Sequence, residues 1–215
     1  MNSTQKESLD FKLYEALLWK PDSGYYLLDE HLNRLAASAE NFGFSFSREQ
    51  VIDHLQTSEK DMLPEGAKVK LYLDKEGTIE IQIEPLGGVK SDNLIVGLAP
   101  TPVNSQDPLL NHKTTVRDIY EQARQARPEC DDVILWNEKN EVTESCRSNV
   151  VVDMGGELLT PPIHCGLLGG TYRGHLLADG KIRERVILLE ELEQADQIFT
   201  INSVRKWMTT TLIDR

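Results

Sequence analysis

The chain has 215 residues, 40% of them hydrophobic and 27% charged, with a formal net charge of -12. That excess of acid argues against nucleic acid or an acidic membrane as the main partner. No apolar run approaches the roughly 20 residues needed to span a bilayer, and three widely spaced cysteines without a CxxC fit neither a disulfide framework nor a thiolate zinc site.

Residues 1–10 are polar and lack an apolar core, so no secretory signal is expected and a reducing cytoplasm is the expected compartment. Residues 11–19 are apolar and aromatic enough for a strand. Pro21 to Gly24 make a turn, and residues 25–28 return as a second strand. Asp29 is a plausible N-cap for a helix to Phe42, with Leu32, Leu35, Ala36 and Ala39 on one face and Gly43 ending it. Ser47 followed three residues later by Gln50 predicts a capping box and a helix to Gln56. Residues 68–73 and 78–84 alternate around a turn at Asp74 to Gly77 and read as a hairpin.

Residues 93–98 form a further strand. Residues 99–112 contain two prolines followed by a third and show no periodicity, so they read as the connection between a first domain, 1–98, and a second, 113–215. In the second, residues 116–127 predict a helix, and 132–136, 142–144, 149–154 and 157–160 predict strands. Residues 170–178 predict a helix, 182–188 a strand, 189–193 a helical turn, and 196–201 and 206–213 the last strands. The mixed order with many hairpins makes the fold class α+β.

The densest stretch is 142–173. Glu144 sits at a strand end, Pro161 and Pro162 stop the sheet, and Gly166 to Gly170 form a glycine-rich turn that opens a helix. Backbone N–H groups at such a turn suit a phosphate. A phosphate site beside a carboxylate suggests pyridoxal phosphate, which needs a lysine for its aldehyde, an acid facing its pyridine nitrogen and a phosphate cup. Glu144 can be the acid, and Gly170, Thr171 and Tyr172 part of the cup. Lys113, in Asn111-His112-Lys113-Thr114-Thr115, is the candidate amine. His31, His112 and His164 read as structural or solvent-facing, and Cys146 and Cys165 as small buried residues.

Glu144 with Ser145, Ser148 and Asn149, then Leu159-Thr160-Pro161-Pro162, then Gly166 to Gly170 and Arg173, resembles the signature of class IV aminotransferases, the fold-type IV pyridoxal-phosphate enzymes. The resemblance runs from about Phe11 to the C-terminus. It implies a D-amino acid aminotransferase-like fold, with a small N-terminal α/β domain and a larger domain around a barrel-like sheet. It implies Lys113 and Glu144 as catalytic residues. Arg34, Thr171 and Ser203, with Tyr172 and Asn202, are implied at the cofactor phosphate, and Lys70 at a substrate carboxylate. It also implies a homodimer.

Within the family, the His-Lys-Thr-Thr stretch and the ending from Ile201 to Met208 are similar to the 4-amino-4-deoxychorismate lyase branch, whose module is often fused to aminodeoxychorismate synthase; such a synthase is therefore a possible partner. Branched-chain relatives carry a tyrosine five residues after the lysine, where this chain has Asp118. D-amino acid relatives carry an Arg-x-His trap near the position of Lys70, and this chain has none. Relatives also have a glycine-containing strand ahead of the match to Phe11, where this chain has a mostly polar stretch of ten residues. That keeps open a reading from another class, a non-catalytic cofactor- or partner-binding remnant.

Overall fold

A computed structural model describes residues 10–87 and 93–213. Most of the polar N-terminal stretch discussed above lies outside them. Strand β1 (Leu13–Lys20) pairs with the short β2 (Gly24–Tyr25) on one side and β3 (Ala67–Leu73) on the other, and β4 (Ile79–Pro85) completes a four-stranded antiparallel sheet. Alternation sets its two faces. Ala67, Val69, Leu71 and Leu73 are buried under helices α1 (Leu28–Phe42) and α2 (Arg48–Ser58), while Lys68, Lys70 and Tyr72 occupy the other face.

The strand expected at 25–28 is cut short because Leu27 takes a left-handed conformation, φ 53°, and becomes the N-cap of α1. Asp29 is the second residue of the helix, in the first turn where negative charge suits the helix dipole, and its carboxylate meets Arg48 at 2.5 Å. Gly43, φ 68°, ends the helix as expected, and Ser47 Oγ caps α2 by accepting from Gln50 N–H at 3.3 Å.

The second half opens with β5 (Asn93–Leu98), which hydrogen-bonds to strands of the second sheet alone and not to the first. The expected first domain, 1–98, therefore ends on a strand whose ladder belongs to the other sheet. Helix α3 (Asp118–Ala126) follows the connection, then β6 (Asp132–Trp136), β7 (Val142–Ser145), β8 (Asn149–Met154) and β9 (Glu157–Thr160). Helix α4 (Thr171–Ala178), β10 (Arg183–Glu184), β11 (Gln197–Asn202) and β12 (Lys206–Leu212) complete it. Going round, β8, β11, β12, β5, β6 and β7 pair in turn and β7 returns to β8, which closes a 6-strand barrel. Closure leaves no free edge among those strands. Val96, Ile134, Val142, Val150 and Val152 form its core.

The strand expected at 182–188 is only two residues long. Ile187 is buried and its carbonyl accepts from Val142 N–H at 2.8 Å, so this segment fills the core without joining a long ladder. Among the described residues no helix is long and apolar enough to cross a membrane.

Candidate active site at the junction of sheet and barrel

The functional candidates meet where the small sheet rests on one end of the barrel. Residues 113–115 are stitched to the start of β1. Tyr14 N–H donates to Lys113 O at 3.0 Å, and Thr115 N–H to Lys12 O at 2.9 Å. Alternation along β1 turns Tyr14 toward the junction, and Lys113 Nζ lies 4.5 Å from the centre of its ring. The Tyr14 phenol also accepts from Arg117 Nη1 at 3.1 Å. Burial raises the pKa of that phenol, but the charges of Lys113 and Arg117 outweigh burial and hold it below its ordinary value.

Glu144, on β7, is 6% exposed and accepts from the Tyr120 hydroxyl at 2.8 Å. Burial pushes its carboxyl up to about 7, against the pull of the Tyr120 hydrogen bond, the Leu168 backbone, Lys113 and Arg117. Its partner across the ladder is Asn149, whose Nδ2 donates to Leu168 O at 2.8 Å. The acid and the glycine turn are thus tied together through one asparagine. At Gly170 an added Cβ would collide with Asn149 Oδ1, so any other residue there has to displace the asparagine that ties the turn to the strand.

Arg34 reaches the same turn from α1. Its Nε and Nη2 grip Glu15 at 2.8 and 2.5 Å, and Nη1 donates to Gly169 O at 3.1 Å. A guanidinium has five N–H groups, so the three bonds leave two for an anion. Thr171 opens α4 and contacts His31 Nε2 at 3.1 Å. Ser203 Oγ donates to Ala16 O at 3.3 Å, and Asn202 Nδ2 to Ser148 Oγ at 2.9 Å, which ties the β11–β12 turn to β1 and to the turn between β7 and β8.

Two expected residues sit differently. The ring of Tyr172 packs with Tyr26 and His175 rather than into the turn, leaving its backbone N–H at the open end of α4. Lys70 lies on the junction face of β3, but Glu84 on β4 already holds its Nζ at 2.5 Å. The sequence reading missed Glu15, Tyr14, Arg117 and Tyr120. Glu15 was detectable, because it falls between Leu13 and Leu17 on the inward face of β1. The thiols of Cys146 and Cys165 are pushed up to about 12, burial first, as suits buried residues that do no chemistry.

These residues fit pyridoxal phosphate. A pyridinium beside Glu144 would return its buried carboxyl to the charged form, the two remaining Arg34 N–H groups and the first N–H groups of α4 would meet a phosphate, and Lys113 would supply the amine. A barrel with a lysine, a buried acid and an anion cup against a smaller sheet defines the fold-type IV class of pyridoxal-phosphate enzymes. The chain belongs to the class IV aminotransferase family, whose sequence model, Amino-transferase class IV, matches residues 12–213, and it is a pyridoxal-phosphate-dependent enzyme. It is 32% identical to a "putative aminodeoxychorismate lyase" of Schizosaccharomyces pombe, over 94% of this chain and 89% of that one. It is 29% identical to a "probable branched-chain-amino-acid aminotransferase" of Thermotoga maritima, over 89% of this chain and 77% of that one. A crystal structure of a "putative amino-acid aminotransferase" from Mesorhizobium loti superposes with a TM-score of 0.89 at 32% identity, covering 95% of this chain and 100% of that one.

Proposed function

We propose that this enzyme converts 4-amino-4-deoxychorismate to 4-aminobenzoate and pyruvate, a step of folate biosynthesis. The similarity to the Schizosaccharomyces pombe protein over 94% of the chain carries the reading. Asp118 in the place of a branched-chain tyrosine, and the absence of an Arg-x-His trap, support it. Pyridoxal phosphate, when bound, supplies an electron sink for the carbon bearing the substrate amine.

The chain's own groups do the rest. Lys113 Nζ takes the proton from that ring carbon. The bond between the ring and the enolpyruvyl oxygen breaks with its electron pair on oxygen, the ring becomes aromatic, and the released enolpyruvate gains a proton on carbon to give pyruvate. Glu144 holds a negative charge against the pyridine nitrogen, and Tyr120 orients it. Arg34, Gly170, Thr171 and Ser203, with backbone groups of Tyr172 and the turn at Asn202, hold the phosphate. Lys70 attracts a substrate carboxylate. The working form is a homodimer in the cytoplasm, with an aminodeoxychorismate synthase as the source of substrate.

The similarity to the Thermotoga maritima protein favours a second reading, amino transfer from a branched-chain amino acid, and the family resemblance adds D-amino acids as the other transaminase alternative. One assay separates the two. The protein is offered aminodeoxychorismate alone and, in parallel, leucine or D-alanine with 2-oxoglutarate. Equal release of pyruvate and 4-aminobenzoate is expected from the first. Glutamate formation in the second, with no pyruvate in the first, would replace the lyase by the transaminase. A protein inert in both and unable to take up the cofactor would be a binding remnant.

A further inference from the structure

His31 is 1% exposed and joins the two halves of the molecule. Its Nδ1 lies 2.7 Å from Glu15 Oε2 on β1, and its Nε2 lies 3.1 Å from Thr171 Oγ1 at the start of α4. Burial works to protonate Glu15, but Arg34 and His31 outweigh it and hold the carboxyl at about 2. A carboxylate only accepts hydrogen bonds. The contact therefore assigns a proton to Nδ1 whether the imidazole is neutral or charged, and Nε2 alone changes with protonation.

That assignment controls the Thr171 hydroxyl. Beside a neutral imidazole, Thr171 O–H donates to Nε2 and its oxygen offers only lone pairs to the cup. Beside an imidazolium, Nε2–H donates to Thr171 Oγ1, and the hydroxyl proton is free to point at an anion. We propose that His31 is a positioning residue for the cofactor phosphate: an anion entering the cup draws a proton onto His31 Nε2 and thereby turns the Thr171 hydroxyl into a donor.

Charge supports the same direction. Among the described residues, the charged groups on His31 and its partners are Glu15 from β1 and Arg34 from α1, which sum to zero, while Thr171 from α4 brings only a hydroxyl. A phosphate dianion adds negative charge beside Glu15, and the His31 Nε2 next to Thr171 is a position that can take up a proton. Linkage is reciprocal: if the anion favours the charged imidazole, the charged imidazole favours the anion by the same factor. Cofactor affinity then falls with rising pH wherever the neutral imidazole replaces the charged one. The phosphate ester itself ionises near a pH of about 6, and its own titration strengthens binding as pH rises, so a fall has the opposite sign to any effect of the ligand.

This inference rests on the cofactor reading above. The test uses pyridoxamine 5′-phosphate, which lacks the aldehyde and so leaves Lys113 out of the binding step. Affinity is measured by calorimetry in two buffers of different ionisation enthalpy, for wild type, His31→Gln and Thr171→Val. Wild type should take up, at most, about half a proton more per ligand than His31→Gln, the uptake that a tenfold coupling produces at its midpoint. Its Kd should rise with pH relative to that variant, by up to about tenfold in all for a tenfold coupling. Thr171→Val should lose the same pH dependence. Long-range 1H–15N NMR of the wild-type imidazoles, which needs no variant, should show Nε2 of His31 becoming protonated with pyridoxamine 5′-phosphate and not with pyridoxamine. A His31 that stays neutral when the ligand is saturating, or that responds equally to pyridoxamine, would overturn the inference and leave the cofactor site standing. No binding at any pH would remove the cofactor site and the inference together.

Discussion

Tyr120 and Glu144 lie 24 residues apart in sequence, yet the Tyr120 hydroxyl donates to Glu144 Oε1 at 2.8 Å. The bond keeps a buried carboxyl closer to ionisation than burial alone allows, and burial together with the neighbouring Glu144 holds the phenol well above 10 and therefore protonated. One group is always a donor, the other is wanted as an acceptor. That is a stable way to hold an acid against a pyridinium.

Tyr120→Phe removes this donor. A hydrogen bond to a charged group contributes about 1.5–3 kcal/mol, which corresponds to a rise of roughly one to two units in the Glu144 pKa. The expected result is retained cofactor, turnover at pH 7 lowered about tenfold or more, and an acidic limb of the pH–rate profile moved to higher pH. An unmoved limb would show that Tyr120 does not act on Glu144.

Glu144 also predicts how the cofactor-free protein responds to pH. Its carboxyl is raised from 4.5 to about 7. The native state therefore binds a proton that the unfolded chain has released. Stability from this group is fully present below pH 4.5 and is lost as pH rises through 7. Glu144→Gln should remove that slope, with a difference of about 3 kcal/mol accumulated across the window. Parallel wild-type and variant curves in urea between pH 4.5 and 7.5 would contradict it. With cofactor added, the same variant should bind it and lose turnover heavily, because an amide cannot favour the pyridinium.

Lys70 gives a third expectation. Its ammonium is held by Glu84, and Lys68 shares the same carboxylate at 3.1 Å. If Lys70 attracts a substrate carboxylate, that anion competes with Glu84. Lys70→Ala should raise KM with kcat little changed, and Glu84→Gln should lower KM. The same KM in all three proteins would take Lys70 out of substrate binding.

The hairpins, the two long N-terminal helices and the glycine turn were legible because each depends on neighbours in sequence. Gly43 and Ser47 mark helix ends wherever they fall, and residues 142–173 carry a spacing that few other chemistries need. Contacts between distant segments were not. Periodicity says that Asn93 to Leu98 is a strand, but not that it runs parallel to β12, more than a hundred residues later. Lys113 and Glu144 were readable as residue types in a motif. Glu15 and His31 were not assigned a task, since nothing local shows that an acid on one strand and an imidazole on the next helix will face each other across 2.7 Å.

A homodimer is expected from the family. Sedimentation at micromolar concentration should give twice the chain mass. An active species of single-chain mass would exclude the dimer as the working form.

The claim on which the rest depends is that Lys113 is the amine that meets the cofactor. The chain offers a competitor: Lys206, whose Nζ lies against the Tyr26 ring without a hydrogen-bond partner among the described residues and whose pKa burial lowers to about 8. The protein loaded with pyridoxal phosphate is reduced with borohydride, digested and mapped by mass spectrometry. The expected result is loss of the visible absorbance with a phosphopyridoxyl group on Lys113, and no such band in Lys113→Ala. A label on Lys206, or loaded protein that reduces without labelling Lys113, would contradict the site.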